Sequence, residues 1–345
     1  MKLFSGTTNQ DFSDRIAKQL NINLSSLQIS TFSDGEIKVT INECIRQEDC
    51  VVIQSTCRNN DNNTSVNDSL MELLIIIDAL KRGSAKSVNI IMPYYGYQRQ
   101  DRKDYSRAPI SASIVAKCLE SLNINKIIVF DLHAGQISGF FSNNCSLDNL
   151  YSEQYFLKYI REFIVPKYDL DDIIVVSPDE GATKNNYRIA SYLGCDIASI
   201  FKNRKKDNEV NVMKLIGNVK DKIVIMVDDI IDTAGTACAA SKLLKEEGAR
   251  EIYFFVCHGL FSGNALQKLQ QSYFTKVVVT NTVPYTHDIL INPLIDIIDV
   301  SWLCSEAIYR HLNGISISEL YNEDTFNKKL KVLNILTPLD YNIDI

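Results

Sequence analysis

From end to end, short apolar runs alternate with stretches of amphipathic, helix-period pattern. Strands are expected at 50–54, 88–92, 126–130, 173–177, 197–201, 222–227, 252–257 and 276–280. Helices are expected at 9–20, 67–82, 109–121, 152–163, 183–193, 237–247, 263–270 and 302–312. A run such as Ile173-Ile174-Val175-Val176 has no polar side, so both its faces must be covered. Strand and helix in turn, with strands buried on both faces, predict an α/β fold of doubly wound, mainly parallel sheets flanked by helices. At 345 residues the chain is long for one domain and comfortable for two. The halves echo each other: Ile90-Ile91-Met92-Pro93 parallels Val175-Val176-Ser177-Pro178, and Ile128-Val129-Phe130-Asp131 parallels Ile225-Met226-Val227-Asp228. The expected division is 1–150, 151–301 and a polar, loop-like tail, 322–345.

Composition narrows the class of partner. A net charge of −6 argues against a general nucleic-acid or membrane-surface protein. Anionic ligands need local basic clusters, and there are two: Arg99, Arg102, Lys103 and Arg107, then Lys202, Arg204, Lys205 and Lys206. Nine cysteines lie scattered with no Cys-x-x-Cys pair, which reads as reduced cysteine rather than a disulfide frame or zinc site. The start, Met1 to Gly6, has no signal-peptide layout, and no run is long enough to span a bilayer. Cytoplasm is the expected compartment.

The segment from Val224 to Thr236 carries the most chemistry. An apolar strand leads to Asp228 and Asp229, and the small-residue turn Asp232-Thr233-Ala234-Gly235-Thr236 follows before a helix. Such a turn at a helix start aims backbone N–H groups and hydroxyls at one point, a cradle for phosphate. Paired carboxylates beside it can hold vicinal sugar hydroxyls, so a ribose phosphate suits it better than bare phosphate. An ordinary strand–turn–helix crossover is the bland reading. It leaves the paired acids without a packing reason.

Other strand ends add candidates. Tyr94 to Lys103 combines aromatics and guanidinium groups that could stack on a base and pair with phosphates, or form only a solvated basic loop. Asp131-Leu132-His133-Ala134 ends a strand, where a lone histidine is commonly structural. Ser177-Pro178-Asp179 sets an acid at another strand end. A hard cation such as Mg²⁺ takes one or two protein ligands plus substrate phosphates, which His133 and Asp179 could supply. The loop Lys202-Asn203-Arg204-Lys205-Lys206 is either a solvated charge run or a flap bringing positive charge to a reacting phosphate. No Walker-type P-loop occurs.

Taken in order, these segments resemble the ribose-phosphate pyrophosphokinase family over about residues 2–321. The likeness lies in Phe-Ser-Asp-Gly-Glu at 32–36, Tyr-x-Arg-Gln-Asp-Arg-Lys at 97–103, Ser-Arg-Ala-Pro-Ile-Ser-Ala at 106–112, Asp-Leu-His-Ala at 131–134, Ser-Pro-Asp at 177–179, Lys-x-Arg-Lys-Lys at 202–206 and Asp-Asp-Ile-Ile-Asp-Thr-Ala-Gly-Thr at 228–236. The resemblance implies two type I phosphoribosyltransferase-like domains, with segment 302–321 packing back on the first. It implies transfer of the diphosphoryl group of ATP to the 1-hydroxyl of ribose 5-phosphate. By position it gives Phe32, Asp34 and Glu36 to the adenine of a neighbouring subunit's ATP. Arg99, Gln100 and Asp104 go to ATP within the subunit, and His133 and Asp179 to Mg²⁺. Lys202 and Arg204 become the catalytic pair; Asp228, Asp229 and 232–236 bind ribose 5-phosphate. It further implies hexamers or related rings, with phosphate or ADP as candidate allosteric effectors.

The chain departs from the family's pattern in places. Where relatives have Gly-Gly and then Lys-Arg after Ser-Pro-Asp, this chain has Gly181-Ala182 and Lys184-Asn185. Gly135 and Ser138 stand where many relatives carry Ser and Gln, while Ser316 and Ser318 fit an effector phosphate. Two other readings stay open: a phosphoribosyltransferase, which has no use for the 99–101 and 131–133 segments, and a non-catalytic regulatory subunit.

Overall fold

The structure, a computed structural model, describes residues 1–203 and 212–341. The chain divides into two compact units. One comprises 1–151, 281–286 and 300–325, and the other 152–280, 287–299 and the chain from 326 onward.

The first unit contains β1 (Lys2–Ser5), α1 (Gln10–Gln19), the antiparallel hairpin of β2 (Leu27–Thr31) and β3 (Ile37–Ile41), β4 (Asp49–Ile53) and α2 (Val66–Arg82). β5 (Ser87–Met92), α3 (Ser111–Ser121), β6 (Lys126–Phe130) and β7 (Ser146–Leu150) follow. The second unit runs through α4 (Glu153–Tyr159), β8 (Ile173–Ser177), α5 (Thr183–Leu193), β9 (Asp196–Asn203), β10 (Val212–Ile216), β11 (Ile223–Ile231) and α6 (Gly235–Glu246). It continues with β12 (Glu251–Gly259), α7 (Ala265–Gln270), β13 (Lys276–Thr280), α8 (His287–Leu290) and β14 (Ile295–Ile298). Then α9 (Ser301–Leu312) packs on α1 in the first unit, and α10 (Glu323–Lys329) and β15 (Ile335–Leu336) come last.

The first unit's main sheet is wholly parallel, in the order β1-β4-β5-β6-β7. Its core lies where Leu73, Ile76, Ile77 and Leu80 of α2 and Val115 and Leu119 of α3 meet Val52, Ile90, Ile127 and Val129 of the strands. Each such side chain contributes about 1.5–3 kcal/mol by leaving water. The four-residue spacings on α2 give one apolar face. The helix starts cleanly because Ser65 Oγ accepts the Asp68 N–H while the Asp68 carboxylate accepts the Ser65 N–H.

Among the described residues the second unit's sheet has eight strands, β10-β9-β8-β11-β12-β13-β14-β15, parallel except for the antiparallel outer pairs β10–β9 and β14–β15. β8 and β11 through Val227 are buried throughout, as their unbroken apolar runs require. The region after residue 321 differs from the loop expected there. Phe326 of α10 is buried against the Tyr155 ring, centroids 5.0 Å apart, and Leu336 of β15 pairs with Ile297 of β14. Two apolar anchors and one exposed sheet edge suffice to order a segment that is polar on average.

Candidate active site

In parallel sheets every strand delivers its next loop to the same edge, so chemistry-bearing residues collect beyond the strands' carboxyl ends. In the second unit this edge carries the paired acids. β11 runs further than its apolar run suggests, to Ile231, so Asp228 and Asp229 lie within the strand rather than after it. β8 stops pairing with β11 at Met226↔Val176, whereas β12 stays alongside to Ile231↔Gly259. Among the described residues, one side of β11 therefore has no strand beside it from Val227 onward, and the acids sit at that opening.

A side chain fills the first gap. Asn186 of α5 is fully buried; its Nδ2 donates to Val227 O at 2.7 Å and to Ala182 O at 2.9 Å, and its Oδ1 accepts from Val227 N at 3.1 Å. One amide thus replaces the peptide that β8 no longer offers. Beyond it, Asp228 Oδ1 accepts the Asp229 N–H at 3.0 Å. Burial, the neighbouring Asp229 and then Asp179 push the Asp228 carboxyl well above the usual carboxylate range. Asp179 follows β8 in a turn held by Ser177 Oγ on its carbonyl at 2.7 Å and by the Ala182 N–H on its Oδ1 at 3.0 Å. Ala182 is buried with that N–H already committed to Asp179.

The turn 232–236 leads into α6. Ala234, at φ +58°, takes a left-handed conformation that costs a non-glycine residue roughly 1–2 kcal/mol. Lys268 of α7 donates to Thr233 O at 3.0 Å and Ser262 N–H to Asp232 O at 3.1 Å, bracing the turn. Thr233, Gly235 and Thr236 are exposed. A Cβ at Gly235 would meet nothing within 4 Å, so the protein's own packing does not demand glycine there. Space over exposed N–H and hydroxyl groups at the start of a twelve-residue helix suits a phosphate.

In the first unit the loop after β5 carries Arg99, Gln100 and Asp104, all exposed. Gln100 Oε1 accepts from Ser111 Oγ, and Asp104 pairs with Arg102 at 3.0 Å. His133 follows β6 with its imidazole exposed. Its backbone N–H goes to Oε1 of the fully buried Gln98 at 2.9 Å. The hairpin tip joining β2 to β3 holds Phe32 53% exposed, with Lys38 Nζ 5.8 Å from the ring centroid, and Asp34 and Glu36 out in solvent. Lys202 lies in β9, but its side chain is not among the described parts, and Arg204 lies outside the described residues.

The structure therefore brings Asp179 and Asp229 within electrostatic reach of Asp228, beside a ligand-accessible turn. Asn186 and Gln98, which hold two of these strand ends in place, had no sequence signature. Their partners lie 41 and 35 positions away. Among the described residues no three His, Cys, Asp or Glu side chains form a ready cation cage, and no helix is long and apolar enough to cross a membrane.

Comparison with known proteins adds an independent finding. Residues 1–122 match the N-terminal domain of ribose phosphate pyrophosphokinase, and residues 202–322 the phosphoribosyl synthetase-associated domain. Ribose-phosphate pyrophosphokinase A of Dictyostelium discoideum is 43% identical over 323 residues, covering 94% of this chain and 98% of that protein. Ribose-phosphate pyrophosphokinase 2 of Schizosaccharomyces pombe is 41% identical over 93% of this chain and 97% of its own. The crystal structure of phosphoribosylpyrophosphate synthetase from Mycobacterium smegmatis superposes with a TM-score of 0.83 at 36% identity, covering 91% of this chain and 99% of that one.

Proposed function

Because this chain belongs to the ribose-phosphate pyrophosphokinase family, we propose that it transfers the diphosphoryl group of ATP to the 1-hydroxyl of ribose 5-phosphate, giving 5-phosphoribosyl 1-pyrophosphate and AMP for nucleotide biosynthesis. The observation that carries the reading is identity of 43% across 98% of a ribose-phosphate pyrophosphokinase. A phosphoribosyltransferase would share the 228–236 segment without that end-to-end match.

In the reaction the anomeric oxygen bonds to the β-phosphorus of ATP, the bond from that phosphorus to the α,β-bridging oxygen breaks, and AMP leaves with the bridging oxygen. The proton of the 1-hydroxyl passes to solvent. Such a transfer needs alignment and charge neutralisation more than covalent help. Thr233, Gly235 and Thr236, with the backbone of 232–236, hold the 5-phosphate. Asp228 and Asp229 accept hydrogen bonds from the ribose hydroxyls and so turn the anomeric oxygen toward ATP. Arg99, Gln100 and Asp104 bind ATP, and Phe32, Asp34 and Glu36 reach the adenine of a neighbouring subunit in a hexamer or related ring. Lys202 and Arg204 meet the charge that builds on the transferring group.

The residues fit magnesium as cofactor. Burial and then the neighbouring Asp229 and Asp179 carboxylates disfavour charge on Asp228, a cost that a divalent cation nearby would offset. His133 and Asp179 would each supply one protein ligand to magnesium, the rest coming from phosphate and water. When bound, the ion neutralises the phosphate oxygens. The compartment is taken as cytoplasmic. Pure protein incubated with ATP, Mg²⁺ and ribose 5-phosphate should release AMP and 5-phosphoribosyl 1-pyrophosphate together; no AMP above background refutes the reading.

A further inference from the structure

Two side chains of the loop after β5 hold the turn after β6. Gln98 is completely buried, and its Oε1 accepts the His133 amide hydrogen at 2.9 Å. Three residues on, Asp101, 7% exposed, accepts from Gln136 Nε2. The turn itself departs from regular backbone: Asp131 has φ +33°, its N–H goes to Leu150 O at 2.8 Å, and the Leu132 N–H goes to Asn149 Oδ1 at 3.2 Å. The three successive amides of 131–133 are therefore all held, the last by Gln98.

The other end of the Gln98 amide is costly. Among the described residues, Nε2 is buried with no hydrogen-bond partner. Leaving a buried donor unsatisfied costs about 1–3 kcal/mol, which an apolar side chain of the same length would avoid. Packing alone therefore does not account for an amide here. Its oxygen has a task, since it is the acceptor for the N–H of the residue whose exposed imidazole faces solvent.

We propose that Gln98 is a positioning residue for His133, setting the direction in which the imidazole meets the metal–nucleotide, with the Asp101–Gln136 pair extending the same tie. This rests on reading His133 as a ligand of the magnesium–nucleotide. Gln98 occupies the unspecified position of the Tyr-x-Arg-Gln-Asp-Arg-Lys run, so its identity is a property of this chain rather than of that motif. Groups that orient a metal-binding histidine typically change metal affinity by roughly 10- to 100-fold when removed.

The full-length protein is titrated with Mn²⁺ and α,β-methylene-ATP, followed by water-proton relaxation, and separately with ribose 5-phosphate by calorimetry. Gln98→Met should weaken the Mn²⁺–nucleotide complex about 10-fold and leave ribose 5-phosphate within about twofold. Because Gln98 acts through His133, the double variant Gln98→Met/His133→Ala should bind no more weakly than His133→Ala alone. Full additivity, or parental binding by Gln98→Met beside a weakened His133→Ala, overturns the proposal. Parental binding by His133→Ala overturns the underlying reading of His133 instead, and the proposal falls with it. Hydrogen exchange in the parent needs no variant: the His133 amide should be protected like a core amide, and exchange at the rate of an open loop refutes the tie.

Discussion

Asn186→Ala should be among the most damaging single truncations in the second unit. The side chain makes three hydrogen bonds, two to Val227 and one to Ala182, and no water reaches it. Ala182 O keeps a backbone partner, the Asn186 N–H at 3.1 Å. Val227 N–H and C=O do not, because β8 no longer pairs with β11 at that point. Two buried backbone groups left unsatisfied cost about 1–3 kcal/mol each, so roughly 2–6 kcal/mol in all. For a unit of this size that is a fall in Tm of about 2–4 °C per kcal/mol. The consequence reaches the ligand because Asp228 is the next residue: ribose 5-phosphate should bind at least several-fold more weakly. Asn186→Asp is the informative companion. It keeps an acceptor for Val227 N–H but turns an oxygen toward Val227 O and adds charge near Asp228, so it should be no better than alanine. Urea unfolding with calorimetric titration of ribose 5-phosphate decides the matter. An Asn186→Ala protein within 1 kcal/mol of the parent (a margin below the cost of about 1–3 kcal/mol for even one orphaned group) refutes the bridging account.

Lys202→Ala and Arg204→Ala should each lower kcat by the equivalent of about 2–4 kcal/mol with little change in KM, as for a donor acting in the transition state; steady-state kinetics within a few-fold of the parent would mark the loop as solvated surface. Thr236→Val should weaken ribose 5-phosphate far more than ATP, and equal weakening of both by calorimetry would make the turn structural only. Burial, aided by Lys126 and opposed by Asp148 and Asp49, lowers the His311 pKa from its usual 6.5. The unfolded chain then protonates first, so this contribution to stability is present above pH 6.5 and lost as pH falls through the lower folded value. His311→Asn should flatten the decline of urea stability between neutral and mildly acidic pH, and a decline matching the parent's would exclude His311 as its source. Phe326→Ala should lower the Tm of the second unit and free the tail, at about 3–5 kcal/mol for a buried aromatic. Unchanged proteolysis beyond residue 321 would show that the ring is no anchor.

The strands at 126–130, 173–177 and 276–280 and the helix at 183–193 could be read residue for residue. A strand covered on both faces must be apolar throughout, and the helix shows its own period, so neither needs a partner to be recognised. The motif acids and turn residues were legible for a related reason: chemistry at a strand end draws on residues adjacent in the chain. β10, β14 and β15 carry no such signal, being short strands near the rims of the sheet whose pairing depends on a neighbour. The extension of β11 past Asp228 carries none either, because carboxylates end an apolar run without ending the pairing with β12. The sequence by itself determined the α/β class, the paired acids and the phosphate-cradling turn, all products of local residue order. Only the tertiary structure decided that Asp179 presses on Asp228, that Asn186 stands in for a missing strand, and that Gln98 holds the His133 turn. Each depends on groups dozens of positions apart, whose meeting is set by the packing of the whole sheet and leaves no periodicity in the chain.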